Sequence, residues 1–310
     1  MREFELINAF FKQQSLQRPD VLLGIGDDAA LVKIPSGEVL AITVDTLVEG
    51  IHFHPNANPY DIGYKALAVN LSDLAAMGAQ PAWATLALTL PETNTDWLYE
   101  FSRGFFELAQ VFNVQLIGGD TTRGPLTITI QMQGFTPENK ALKRSAAKPG
   151  DLIYVTGTLG DAGCALQLGL NAPIELAQRL HRPFPRITEG LLLREIAHSA
   201  IDISDGLAAD LNHILENSQV GAQLFIEQIP LSTELLTQIS PQEAQQLALC
   251  AGDDYELCFT ISPSKVNLLL ETGISCTCIG QIESLPGLKI KNNNGEIINL
   301  VHLGYSHFDS

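Results

Sequence analysis

Two stretches of strict alternation constrain the fold most. Leu86, Leu88 and Leu90 alternate with Thr85, Ala87 and Thr89, and Leu126, Ile128, Ile130 and Met132 alternate with Thr127, Thr129 and Gln131. Only a two-residue period puts every second side chain on one face, so both segments read as half-buried strands. Between them, residues 96–112 read as a helix and residues 114–117 as another strand. Val39 to Val44 is a short continuous apolar run, expected as a buried strand that ends directly on Asp45. Residues 61–77 follow as a helix, with Asp61 as its cap and Gly78 as its stop before Pro81.

Mixed strands and helices continue to the end, so the fold class is α/β (α+β). Strands are expected at 152–156, 201–203, 223–226, 256–261 and 276–281, and Asn293-Asn294-Gly295 marks a late hairpin. A chain of 310 residues exceeds the usual limit of one core. Lys143, Arg144, Lys148, Pro149 and Gly150 gather basic and breaker residues where a linker belongs. Two domains are therefore expected, at 1–140 and 150–310.

The formal net charge of −17 argues against nucleic acid and anionic membranes as partners, because both reward clustered Lys and Arg. Small cations suit it better. Five cysteines without a C-x-x-C pair fit neither a disulfide framework nor a zinc site, which points to a reducing cytoplasm. Residues 1–14 have helical spacing but no signal-peptide core, and no apolar run approaches the roughly 18 residues of a membrane span.

The acidic residues fall in telling places. Gly24-Ile25-Gly26-Asp27-Asp28 sets flexible backbone beside hard oxygen donors, or else forms a turn that caps a helix from Ala29. Asp45, flanked by Thr43 and Thr46, sits where α/β folds assemble their sites. Asp73 lies in a helix among Leu67, Val69, Leu71, Leu74 and Ala75, where a carboxylate must face solvent or be paired. Asn70 is one turn earlier, and a metal ion would satisfy both. Gly118-Gly119-Asp120-Thr121-Thr122-Arg123-Gly124 reads as a glycine loop able to cradle phosphate. In Asp202-Ile203-Ser204-Asp205-Gly206, either Ser204 or Asp205 suits the N-cap of a helix over 207–215, which leaves Asp202 unexplained.

The absences narrow the chemistry. There is no Walker A motif, no protein-kinase motif set and no G-x-S-x-G nucleophile setting. Gly157-Thr158-Leu159-Gly160-Asp161 lacks the dinucleotide fingerprint and reads as packing. His52 and His54 have no third ligand at a metalloprotease spacing, so they read as substrate contacts or surface residues.

Taken in order, several motifs resemble those of the thiamine-monophosphate kinase family, within the aminoimidazole-ribonucleotide-synthetase-like superfamily. They are L-G-I-G-D-D-A-A at 23–30, T-V-D-T-L-V-E-G-I-H-F at 43–53, K-A-L-A-V-N-L-S-D-L-A-A-M-G-A at 65–79 and L-I-G-G-D-T-T-R-G at 116–124. R-S-A-A-K-P-G-D at 144–151, I-D-I-S-D-G-L at 201–207 and G-D-D-Y-E-L at 252–257 continue the series almost end to end. The resemblance implies a two-domain fold whose N-terminal α/β domain pairs across a homodimer. It also implies transfer of the γ-phosphoryl of ATP to thiamine monophosphate, assisted by several Mg2+ ions, with no covalent nucleophile or obligatory base.

On the same ground the metal ligands are expected at Asp28, Asp45, Asp73, Asp120, Asp202 and Asp205, with Thr43 and the backbone of Val44 as auxiliaries. ATP contacts are expected at Gly119, Asp120, Arg144 and Ser204, and substrate contacts at His52, Asp253 and an aromatic, Tyr305 or Phe308. The family often has Glu where Asp253 stands, so here a shorter arm has to reach the same ligand. The alternatives are another ATP-dependent enzyme of the superfamily, or a non-catalytic magnesium- or nucleotide-binding protein. Selenophosphate synthetases and hydrogenase maturation proteins work through a terminal Cys or selenocysteine, whereas here the first cysteine is Cys164 and the sequence ends His307-Phe308-Asp309-Ser310.

Overall fold

The structure is a computed structural model that describes residues 3–300 and 302–305. The chain divides into two compact units, the first Met1–Leu74 with Ala79–Asn139, the second Ala75–Gly78 with Lys140–Ser310. Among the described residues no helix is long and apolar enough to cross a membrane.

The first unit runs α1 (Glu3–Leu6), β1 (Val21–Leu23), β2 (Leu31–Val32), β3 (Glu38–Val48), α2 (Pro59–Ala76), β4 (Gln80–Leu90), α3 (Thr95–Val111), β5 (Gln115–Arg123) and β6 (Thr127–Pro137). A four-stranded sheet in the order β3-β6-β4-β5 carries it, parallel only between β4 and β5. Leu86, Leu88, Leu90, Ile128, Ile130 and Met132 are all buried, as their alternation requires. Helix α3 buries Leu98, Phe101, Phe105, Leu108 and Ala109 at helical spacing, and α2 is buried nearly all round.

One cap, one strand end and one helix differ from the sequence expectation. Helix α2 begins at Pro59, with Asn58 Oδ1 accepting the Tyr60 N–H at 3.0 Å, so Asp61 lies inside its first turn. Gly78, at φ +61°, ends it as expected. Strand β3 does not stop at Asp45 but continues to Val48, because all of residues 38–48 find partners on β6. No helix starts at Ala29, since residues 24–30 join the β1–β2 hairpin.

The second unit runs β7 (Leu152–Thr156), α4 (Asp161–Leu168), α5 (Ile174–His181), α6 (Ile187–Leu193), β8 (Ser199–Asp202), α7 (Leu207–Ser218), β9 (Gly221–Phe225), α8 (Thr233–Gln238), α9 (Pro241–Cys250), β10 (Leu257–Ile261), α10 (Val266–Glu271), β11 (Cys276–Glu283), β12 (Gly287–Lys291) and β13 (Ile297–Ile298). Its seven-stranded sheet has the order β13-β12-β9-β11-β7-β10-β8. Ile153, Val155, Ile201, Leu207, Leu211, Leu224 and Ile279 are among its buried core residues, and β12 with β13 forms the expected hairpin.

Candidate functional site

In the first unit the site grows from β3 and α2. Thr43 and Asp45 are two apart on β3 and so face the same way, while Ile42 and Val44 point outward. The Thr43 hydroxyl donates to Asp73 on α2, which joins strand to helix. Burial, then the negative charge of Asp73, push the Asp45 carboxyl up to about 7. Two carboxylates pressed together in this way favour a proton or a cation. Asn70, one turn before Asp73, is fully buried; its amide N–H donates to the Ala66 carbonyl at 3.1 Å, while its Oδ1 accepts no hydrogen bond.

Other expected residues of this unit stand on other elements. Asp28 is exposed in the β1–β2 turn, where its N–H donates to Asp27 at 2.9 Å. Asp120 is exposed on β5, in the row Thr46, Thr129, Ala87, Asp120 that crosses the sheet. Three strand spacings separate it from β3, on the order of 14 Å. Gly118 and Gly119 therefore belong to a strand, not to the glycine loop expected from sequence. A Cβ on Gly119, at φ +148°, would stand 1.8 Å from the Leu86 carbonyl oxygen, so glycine is needed there for close strand approach. His52 Nδ1 accepts the Val48 N–H at 3.0 Å, which fixes the ring beside the end of β3. A cleft of about 550 Å3, lined by Leu6, Leu90, Glu92, Thr93, Thr121, Thr122 and Arg123, begins one residue past Asp120.

In the second unit Asp202, Ser204, Asp205, Asp253 and Tyr305 are brought together by the backbone. The Asp253 N–H donates to the Ser204 carbonyl at 2.9 Å, and the Tyr305 N–H to the Asp205 carbonyl at 2.9 Å. Asp202 is buried at the end of β8, and the Tyr305 side chain is half exposed. Phe308 lies outside the described residues. Arg144 is exposed, and its carbonyl accepts from Ser218 Oγ at 2.8 Å, at the far end of α7 from Ser204.

Neither Ser204 nor Asp205 caps α7: its N-cap is Gly206, without a side-chain bond. The work falls to Asp210, which sequence reasoning missed. Its Oδ2 accepts the N–H groups of Ser204, Asp205 and Gly206 at 3.0, 3.0 and 3.1 Å. Burial and the charge of Asp205 outweigh those bonds and push Asp210 up to about 7. The only sequence signal was an aspartate in an otherwise apolar first turn. Asp254 and Glu256 were also missed. Burial drives Asp254 well above the carboxylate range even though it accepts the Gly160 N–H. Burial acts on Glu256 in the same direction, but hydrogen bonding by Arg186 and the charges of Arg179 and Arg186 prevail and hold it below its ordinary value.

Among the described residues no three His, Cys, Asp or Glu side chains converge to hold a metal. The Asp45–Asp73 pair with the Thr43 hydroxyl is nonetheless an all-oxygen donor set, and Mg2+ is commonly bound by one or two carboxylates plus waters and phosphate oxygens. The residues fit that ion.

Residues 26–136 match the family model described as AIR synthase related protein, N-terminal domain, and residues 148–291 match its C-terminal domain. The thiamine-monophosphate kinase of Escherichia coli (strain K12) is 48% identical over 320 residues, covering 99% of this chain and 98% of that protein. The crystal structure of thiamine-monophosphate kinase from Stenotrophomonas maltophilia K279a is 46% identical with a TM-score of 0.87, over 96% of this chain and 98% of that one. Another solved relative, complexed with AMPPCP and TMP, is 32% identical with a TM-score of 0.80 over 99% of both chains.

Proposed function

The chain belongs to the thiamine-monophosphate kinase family of AIR synthase related proteins, and from that membership we propose that it transfers the γ-phosphoryl of ATP to thiamine monophosphate, giving thiamine diphosphate and ADP. The observation that carries this reading in the structure is the Asp45–Asp73 pair, two carboxylates held together beside a hydroxyl. The names of the full-length relatives, and the relative complexed with AMPPCP and TMP, supply the substrates.

A phosphate monoester has its second pKa near 6, so at neutral pH the acceptor is already mostly a dianion and needs no strong base. The obstacle is repulsion between two polyanions, several kcal/mol at contact even at an effective dielectric of about 20. Several Mg2+ ions, one at Asp45 and Asp73 and others at Asp28, Asp120, Asp202 and Asp205, with Thr43 and the backbone of Val44 as auxiliaries, would supply charge neutralisation and in-line alignment. Gly119, Asp120, Arg144 and Ser204 hold ATP. His52, Asp253 and Tyr305 hold the acceptor, whose cationic thiazolium suits a carboxylate and an aromatic face.

The same reading makes the protein a cytoplasmic homodimer. Strand β3 ends its sheet and turns Ile42 and Val44 outward at 59% and 58% exposure, an apolar strip that a second copy would cover. An ATP-consumption assay tests the activity: ADP is expected only when Mg2+ and thiamine monophosphate are both present. No turnover under those conditions would sink the assignment.

A further inference from the structure

We propose that the Arg186–Glu256 ion pair is a positioning device for the acceptor, acting through the segment 252–256 that presents Asp253. The proposal rests on the reading above, in which Asp253 contacts thiamine monophosphate and Ser204 contacts ATP.

The segment has an unusual backbone. Asp253 and Tyr255 adopt φ of +62° and +50°, a left-handed conformation that non-glycine residues hold only when their surroundings impose it. The surroundings here act on the alternate residues. Asp254 and Glu256 are buried, whereas Asp253 and Tyr255 are only partly so. Both oxygens of Asp254 are within reach of the Gly160 N–H, at 3.0 and 3.1 Å.

Glu256, with no exposed surface, is held on four sides. Arg186 grips it as a fork, Nε to Oε2 at 2.6 Å and Nη2 to Oε1 at 2.6 Å. Arg179 Nη2 donates to Oε1 at 2.7 Å and the Thr156 hydroxyl to Oε2 at 2.6 Å. A Cβ on Gly157, at φ +55°, would stand 2.3 Å from Oε1, so the wall behind the carboxylate is closed. Arg179 also faces Asp161 at 3.6 Å and Arg186 faces Glu189 at 3.8 Å, so Glu256 is the centre of a network of ion pairs. Its effect is to fix the residue next to a strained turn that carries a ligand-facing side chain.

The ATP side has a support of its own. Asp210 pins Ser204, Asp205 and Gly206 through three backbone N–H groups, and none of these bonds involves Glu256. The segment does touch this side through its backbone, Asp253 N–H to the Ser204 carbonyl at 2.9 Å and Ile203 N–H to the Glu256 carbonyl at 2.8 Å, but Ser204 keeps the Asp210 anchor when the fork loosens, so Asp253 is displaced more than Ser204. The two Michaelis constants should separate.

The test is Arg186→Lys, which keeps the charge but loses the planar fork. We expect KM for thiamine monophosphate to rise about tenfold, KM for ATP to stay within about twofold, and the circular dichroism spectrum to be unchanged. An equal rise in both constants, or no rise in either, overturns the proposal. Asp253→Ala tests the underlying reading separately: an unchanged acceptor KM in that variant removes Asp253 from the site whatever Arg186→Lys does. If Arg186 acts through Asp253, the double variant should raise the acceptor KM no further than Asp253→Ala alone, and additive effects would refute the linkage. Should Arg186→Lys fail to fold, Arg179→Lys reads the same split on the second guanidinium.

Discussion

Asp45 in the first unit and Glu256 in the second are both carboxylates that the fold draws away from water, and they are treated in opposite ways. Asp45 faces another carboxylate, Asp73, and is pushed up to about 7. Glu256 is more deeply buried, yet it faces two guanidinium groups and lies below its ordinary value. Burial by itself acts in the same direction on both, so the neighbour's sign decides the outcome. Where the protein supplies the cation, the carboxylate holds structure. Where it supplies a second carboxylate, the charge has to be met by a proton or by a cation from outside.

The largest expected effect breaks the first half of this contrast. Asp73→Asn should lower turnover by about a thousandfold, since a bound cation contributes several kcal/mol to phosphoryl transfer. Circular dichroism should stay native, and full activity at ordinary magnesium would remove Asp73 as a ligand. In the wild type, Mg2+ affinity measured by calorimetry should weaken as pH falls through about 7, where Asp45 takes up its proton. A flat affinity between pH 8 and pH 6 (about one unit either side) would disconnect that carboxyl from the metal.

Glu256→Ala tests the other half. It removes the nearest carboxylate from two partly buried guanidinium groups, leaving Arg179 with Asp161 at 3.6 Å and Arg186 with Glu189 at 3.8 Å, and should destabilise the second unit by about 3 kcal/mol, read as a lowered thermal midpoint. The linked pH effect has a definite sign. Because Glu256 titrates lower in the folded state than its ordinary 4.5, its contribution is complete above that value and is lost as pH falls through the lowered one. Glu256→Gln should flatten that acid limb, and an unaltered acid limb would mean other carboxylates set it.

The smallest effect sharpens what the comparison depends on. Lys140 and Glu195 also meet at 2.6 Å, the same distance as Arg186 Nη2 to Glu256, but at 49% and 59% exposure. Lys140→Ala should change stability by less than about 0.5 kcal/mol, because solvent screens the pair. A loss comparable to that of Glu256→Ala would show that distance, not burial, governs these ion pairs.

The sequence by itself determined the strands and their faces, because alternation at 85–90 and 126–132 has one geometric solution. It also determined the family, through long motifs in a fixed order, and it made Asp73 conspicuous as a charge inside an apolar helix. Tertiary structure alone decided which charges meet. Thr43 and Asp73 are thirty positions apart, and Glu256 is seventy from Arg186 and one hundred from Thr156, so no local pattern records those contacts. The same holds for Gly118-Gly119, a glycine pair that reads as a loop but lies in a strand, where at Gly119 β4 passes too close for any side chain. Local residue choice sets period and propensity, whereas the partner of a buried carboxylate is fixed only when distant strands and helices pack.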